Sequence, residues 1–527
     1  MRKSERPNGK DSAVVVDEVR VVNDLRKLGY EQELTRSRGL PHILFSAFFY
    51  LCRSSPYGLG APLATSLVAG GPASMFWGLL LVSFLSLFIA LSLAEIASKY
   101  PTSAGAYYWC YRLAPPRHRL LLSYITGWLI VTGDWMVSLS VTFGTAQLLV
   151  AGITIYYPEW EATAWQTYLI FLGVLLLTSI FCIFFNRYLP LIDILSAYWI
   201  AFGLVAMLVC LLAEAKSGRH SAKFAFTHFD TSFSGWPPGW AFFIGLFPAG
   251  YTFSAIGMTT SMAEEVYNPS INLPRAIVWS VLIGCLMGIA FILPINFTLP
   301  DTATLLDVSS GQPIAAMYTM IMGSRGGGFA MWFIIFGVGV FCAISINCAA
   351  SRATWSFARD KAIPGHRTFA QVNARFSELP LNAFLLCIAV QALLGLIFLG
   401  SSAAFNAFVG VEVMCLGASY AIPVIVLLAG GREGVEGAPY SLGQWGSAIN
   451  VTAVLWVALE MVLFSMPSAL PVDKSTMNYA SVVFVGFATI SGAWYTINGR
   501  FHYNGPPVGE EYDASSSSAN ECRDKPA

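Results

Sequence analysis

Residues 40–70 read LPHILFSAFFYLCRSSPYGLGAPLATSLVAG. The run is long enough to cross a bilayer, which takes about 20 apolar residues, but Arg53, Ser54, Ser55, Pro56, Tyr57, Gly58 and Gly60 interrupt its centre. Backbone left unpaired at membrane depth survives only where protein or a water-filled cavity satisfies it. Pro56 lacks an N–H and crowds the preceding turn, while Gly58 and Gly60 loosen the chain. The stretch therefore predicts a broken transmembrane helix, with amide donors and helix-end dipoles turned toward a small charged group. An ordinary proline kink packed against its neighbours fits the same residues.

The rest of the chain is a suitable setting for such a helix. Of its 527 residues 56% are hydrophobic and 11% charged, and its mean hydropathy is +0.61. These values lie outside the range of soluble domains and indicate a polytopic membrane protein, all-α, with the lipid bilayer as its first partner. The formal net charge is zero, so no global basic field exists to attract nucleic acid. Ten scattered cysteines show no Cys-x-x-Cys or Cys/His spacing, and are read as small core residues; no metal or cofactor is expected. The six histidines form no H-x-x-x-D or H-E-x-x-H pattern and no P-loop is present. Neither an enzyme nor an ATP-driven pump finds support here.

Apolar segments near 40–69, 74–97, 121–153, 165–185, 188–213, 238–263, 275–298, 327–351, 381–400, 403–429, 446–466 and 478–498 predict twelve transmembrane helices, spans 1 to 12. With both ends cytoplasmic, inner segments hold 24 of the 30 Lys and Arg residues, an asymmetry that supports this orientation. Residues 1–38 are read as a polar cytoplasmic tail without a signal peptide, residues 39–499 as the membrane domain, and residues 500–527, with their run Ser515 to Ser518, as a disordered cytoplasmic tail.

Span 6 repeats the oddity of span 1: Phe247, Pro248, Ala249 and Gly250, then Ser254, Ala255, Ile256 and Gly257, interrupt an apolar helix. Two broken spans five helices apart point to a five-plus-five inverted repeat that binds a substrate between them, with spans 11 and 12 as additions.

Three strings narrow the family. They are residues 94–109 (AEIASKYPTSAGAYYW), residues 262–276 (MAEEVYNPSINLPRA) and residues 351–365 (SRATWSFARDKAIPG), preceded by Gly70-Gly71-Pro72. Over roughly residues 40–500 the chain resembles the amino acid, polyamine and organocation transporter superfamily, and within it the fungal amino acid, choline and GABA permeases. The resemblance implies a fold like that of the bacterial leucine transporter, alternating access and, usually, proton coupling. It implies that Ser54, Ser55, Pro56, Tyr57 and Gly58 hold a substrate carboxylate or other head group. Tyr251, Phe253, Ser254, Ala255, Ile256 and Gly257 would hold the amine and wall the side chain. Two residues depart from the pattern: many relatives carry an acid where Gly257 stands, and Arg53 is unexpected inside the first helix.

Ionisable groups within the membrane are functional by default, because burying them uncompensated costs several kcal/mol. Three roles fit Arg53: a bidentate fork for a substrate carboxylate, a partner for Asp134 of span 3, or an arm into a water-filled vestibule. Asp134, Asp193, Glu412 and Glu460 are the intramembrane acids, and Asp134, mid-span on a helix that lines the site in this fold, is the expected proton carrier. Glu264 and Glu265 end span 6 on the same side as Arg352, Arg359 and Lys361; charge pairs among them, Glu264 and Arg352 first, are expected to close an inner gate. Tyr107, Tyr108, Trp109 and Tyr111 are read as an interfacial aromatic belt. Asn296-Phe297-Thr298 matches a glycosylation acceptor on the outer side but is read as lying too close to the bilayer to be modified.

The reading is a secondary transporter, not an enzyme, for an amino acid or related small amine, with protons as coupling ion, in the plasma or the vacuolar membrane. Choline, GABA or a polyamine are the alternative substrates, and a non-transporting nutrient sensor of the same fold the alternative function.

Overall fold

The computed structural model describes residues 25–30, 55–308, 311–373, 379–473 and 477–507. Arg53 and Ser54, Cys52 and Cys522, the first half of span 1, most of the N-terminal tail and residues 508–527 lie outside the described residues. Among the described residues eleven helices are long and apolar enough to cross a membrane, and each overlaps one of spans 2 to 12. The described part of span 1 is helical over residues 55–60 and again over Leu63–Val68.

Helix lengths recur with an offset of five. Spans 2 and 7 have 29 and 30 residues, and spans 3 and 8 have 36 and 35. Spans 4 and 9 have 21 and 15, and spans 5 and 10 have 26 and 28. Span 2 packs along span 7, and span 3 along span 8. Span 8 continues to Arg359, eight residues beyond its expected end, because hydropathy reports the bilayer and not the helix.

Local sequence sets the ends. Gly70 and Gly71 take φ of 112° and 64°, a left-handed turn that glycine allows without strain, and Pro72 then opens span 2 where its missing N–H costs nothing. Thr163 and Gln166 form a capping box at the start of span 4.

Burial sorts the spans. Spans 3, 6 and 10 are the most enclosed, with 78%, 83% and 78% of their apolar windows buried, against 6% for span 12. Phe202, Leu286, Leu455 and Ile490 stand exposed on the outside, as side chains that face lipid tails do. Small residues let the central helices approach: Phe357, Leu416, Tyr57 and Trp332 fill the space over Gly127, Gly133, Gly144 and Gly152 of span 3.

Two expectations, on the aromatic run and on the tail, are corrected, and the unmodified Asn296 finds its structural reason. Tyr107, Tyr108, Trp109 and Tyr111 are buried and therefore are no interfacial belt; an aromatic cluster with polar tips has the same composition whether it meets headgroups or partners inside the fold. Asn296 is fully buried and its amide donates to the carbonyls of Pro72 and Ala225 (3.0 and 3.1 Å), so it is a structural tie and not a glycan acceptor. Residues 500–507, expected to begin a disordered tail, dock: Tyr503 is 2% exposed and its hydroxyl lies 2.7 Å from Ser123 Oγ.

Candidate functional site

Span 6 is broken where its sequence indicates. Helices Pro238–Ile244 and Phe247–Phe253 are followed by a 12-residue 3₁₀ helix from Ser254 to Glu265, with Ala255 at φ −83°, ψ 17°. Runs of 3₁₀ beyond three or four residues are uncommon and mark strain or a hinge. Side chains take up the backbone groups that the break disturbs: Ser254, Thr259, Thr260 and Ser261 each donate to the carbonyl three residues earlier. The Gly257 amide donates to Tyr420 Oη of span 10 at 3.1 Å. Tyr251, Phe253, Ser254, Ala255, Ile256 and Gly257 are all buried at this break.

Gly257 explains the departure from the family pattern, because the Tyr420 ring occupies the space in which any β-carbon at position 257 would stand. Gly257→Ala is expected to force that ring away, at a cost of about 1–3 kcal/mol, and to reduce uptake at least tenfold with surface expression retained. Unchanged uptake would show that the contact is dispensable.

Span 1 meets this break. Ser55, Pro56, Tyr57 and Gly58 are buried, and Gly58 abuts the Thr252 backbone so closely that a β-carbon there would lie 3.1 Å from Thr252 Cα. Tyr57 reaches across to span 3, donating from its hydroxyl to the Val141 carbonyl at 2.9 Å. Of the residues expected to bind substrate, Ser55 to Gly58 and Tyr251 to Gly257 thus come together, and Arg53 and Ser54 lie outside the described residues.

At the level of the break stands a residue that sequence reading left without a place in the site. Glu412 of span 10 is fully buried; Ser254 Oγ donates to its Oε1 at 2.6 Å and Ser140 Oγ of span 3 to its Oε2 at 3.1 Å. Ser140 Oγ also lies 3.0 Å from Tyr251 Oη. One carboxylate therefore holds spans 3, 6 and 10 around the unwound segment.

Asp134 lies six residues before Ser140, about 9 Å lower along the helix. It is 1% exposed and its Oδ1 has no hydrogen-bond partner among the described residues. It lines a cavity of about 20 Å³, walled also by Tyr107, Trp109, Gly257, Thr260 and Tyr420. That is room for about one water, so the site is closed around Asp134 in this conformation.

Below the cavity, toward the end expected to be cytoplasmic, charges close the bundle. Arg359 Nη2 donates to Glu264 Oε1 at 3.0 Å and Nη1 to Oε2 at 3.4 Å, while Ser103 donates to the same carboxylate. Arg352 pairs with Glu265, not Glu264, and also donates to the Cys348 carbonyl at 3.2 Å. The tail joins in: Tyr30 and Tyr107 both donate to Asp360 Oδ2, at 2.8 and 2.7 Å, and the Arg359 guanidinium sits 4.3 Å over the Tyr30 ring. Burial raises the Asp360 pKa above the ordinary carboxylate range, against the lowering effect of Arg359 and the two tyrosine donors.

Glu95, in the string after span 2, is a structural residue: Arg432 Nη2 bonds both its oxygens at 2.7 Å and the Leu442 amide donates to it at 2.9 Å. Asp193 accepts from Ser345 at 3.3 Å, and Glu460 stands behind span 6 beside Gly250, so neither lines the cavity.

Residues 44–487 match the amino acid permease family. A choline transporter of Saccharomyces cerevisiae is 31% identical over 95% of this chain and 89% of its own. The polyamine transporter TPO5 of the same yeast is 31% identical over 85% of this chain and 73% of its own. The amino-acid permease BAT1 of Arabidopsis thaliana is 31% identical over 92% of this chain and 95% of its own. With a match that runs from span 1 into span 12, and relatives aligned over most of their length, the chain belongs to the amino acid permease family, within the superfamily of amino acid, polyamine and organocation transporters.

Proposed function

We propose that this chain is a secondary active transporter that carries an amino acid or related small amine across a membrane by alternating access, with protons as the coupling ion. The observation that carries the reading is the meeting of two interrupted spans, at Gly58 and Thr252, beside two buried carboxylates. Irregular backbone at membrane depth is tolerated only where it is buried in protein or lines a cavity, and a pair of interrupted spans in corresponding positions points to a substrate site between them.

The recurrence of span lengths five helices apart supports two inverted repeats of five spans. Between them the substrate lies against Ser55, Tyr57, Tyr251 and Ser254. Asp134 takes the proton: a carboxyl with an open Oδ1 and no cation beside it among the described residues gains most from protonation in a dry site. The pairs of Glu264 with Arg359 and of Glu265 with Arg352 form the inner gate, with the Tyr30 end of the bundle in the cytoplasm as the Lys and Arg asymmetry predicts. The names of the relatives favour amines and amino acids as cargo, and the plasma membrane is the expected site of action.

Expression in transport-deficient fungal cells tests this reading, with labelled amino acids, choline, GABA and polyamines supplied with and without a protonophore. Uptake of one class that collapses with the protonophore is expected. Surface expression with no uptake of any class would overturn the reading.

A further inference from the structure

Two carboxylates face the unwound part of span 6, and among the described residues no Lys, Arg or His pairs with either. The ion pairs at this end of the bundle are those of Glu264, Glu265 and Glu95. Glu412 is held by two hydroxyls from different spans, and Asp134, in the cavity wall, keeps a buried oxygen with no hydrogen-bond partner among the described residues. Serine donors orient a carboxyl group without supplying a counter-charge, and ionisable groups buried in a membrane core are kept for a use.

We propose that Glu412 is the receptor for a positively charged head group, and that the cargo is an organic cation of net charge +1. This rests on the transporter reading above. Among the described residues no cation stands beside Glu412, and a cationic head group is the partner that lets its carboxylate stay ionised in a dry site. A zwitterion brings its own carboxylate as well, and the described residues offer no positive group there to receive it. The rings of Tyr57 and Tyr251, both buried at the level of Glu412, supply the faces on which an alkylammonium is held, since a desolvated cation is attracted to an aromatic face. Glu412 is the specificity-determining residue, and Ser140 and Ser254 are positioning residues that aim its two oxygens.

The test uses size-matched probes on the full-length protein. Choline carries +1, glycine betaine is its zwitterionic relative, and 3,3-dimethyl-1-butanol is the neutral carbon isostere; butylamine and GABA form a second cation and zwitterion pair. Two readouts are taken: competition against labelled uptake in cells, and thermal stabilisation of the purified protein by each probe. Cations are expected to compete and stabilise at concentrations at least about tenfold lower than their uncharged or zwitterionic counterparts, the factor that one charge-assisted contact supplies.

Glu412→Gln keeps the shape and one of the two donated serine bonds, its amide nitrogen donating to the other serine oxygen, and is expected to erase the preference; Glu412→Asp is expected to restore part of it and to show that the variants fold. Zwitterions that bind as well as cations, or a preference that survives Glu412→Gln, would overturn the proposal. So would zwitterion uptake that requires Arg53 and ignores Glu412. Stabilisation by cations without any uptake would defeat the transporter reading and leave the site standing. Uptake without cation preference would do the reverse.

Discussion

Asp134→Asn is expected to abolish accumulation against a gradient while leaving exchange of labelled for unlabelled substrate within about threefold of the wild type. Asparagine copies the shape of the protonated aspartic acid but neither binds nor releases a proton, so the variant is fixed in the loaded state. One pH unit corresponds to about 1.36 kcal/mol, which for one proton per substrate sustains roughly tenfold accumulation. The variant should reach about onefold. Among the described residues the Oδ1 of Asp134 has no hydrogen-bond partner to lose, and asparagine keeps the size of the side chain. Accumulation that still follows the pH gradient would remove Asp134 from the role.

Breaking the pair between Glu264 and Arg359 should have an effect of similar size on a different step. The two side chains are 0% and 11% exposed, and removing one partner of a buried pair costs about 3–5 kcal/mol, because the other charge is left unpaired. That cost falls on the closed conformation alone if the pair opens during transport. Glu264→Gln is then expected to shift the resting protein toward the inward-open state by a factor of about a hundred or more. The readout is cytoplasmic-side labelling of a cysteine placed at Ser261 in the cavity wall, with the parent protein as background. The exchanged pair Glu264→Arg with Arg359→Glu should recover part of the closure. Glu264→Arg with Arg352→Glu should not, because Arg352 bonds Glu265. Equal labelling in all variants would mean that the pairs hold the fold and do not gate it.

The contrast between those two arginines marks where sequence reading ends. Acidic residues at the end of span 6 and basic residues at the end of span 8 place the charges on one side from hydropathy alone. Which arginine meets which glutamate depends on how a 3₁₀ segment turns its side chains, and no local rule contains that. The break in span 6 was legible because Pro248, Gly250 and Gly257 are poor helix residues whatever surrounds them. The Tyr420 ring that fills the space over Gly257 was not, because it comes from span 10.

Glu412 shows the same limit more sharply. Within FVGVEVMCLG, residues 408–417, it reads as one more intramembrane acid, and only the fold brings it to Ser140 and Ser254, 272 and 158 residues away. Asp134 was singled out from its mid-span position, which composition does report. The aromatic run at 107–111 was misread for a different reason: a tyrosine hydroxyl finds water at an interface and Asp360 in this fold, and the sequence is the same in both cases. Tyr30 carried no signal at all, since nothing in a polar tail distinguishes the one side chain that docks against Asp360 and Arg359.

The claim that joins these elements is that substrate movement is driven by protons through Asp134, and it is best tested with the purified full-length protein in proteoliposomes. The membrane potential is clamped, a pH gradient of one unit with an alkaline lumen is imposed, and uptake of a labelled substrate identified by the cell panel is followed to its plateau. Accumulation of roughly tenfold that collapses with a protonophore and is absent in Asp134→Asn is the predicted result. Uptake that only equalises the two sides, with or without the gradient and in both proteins alike, would contradict the account.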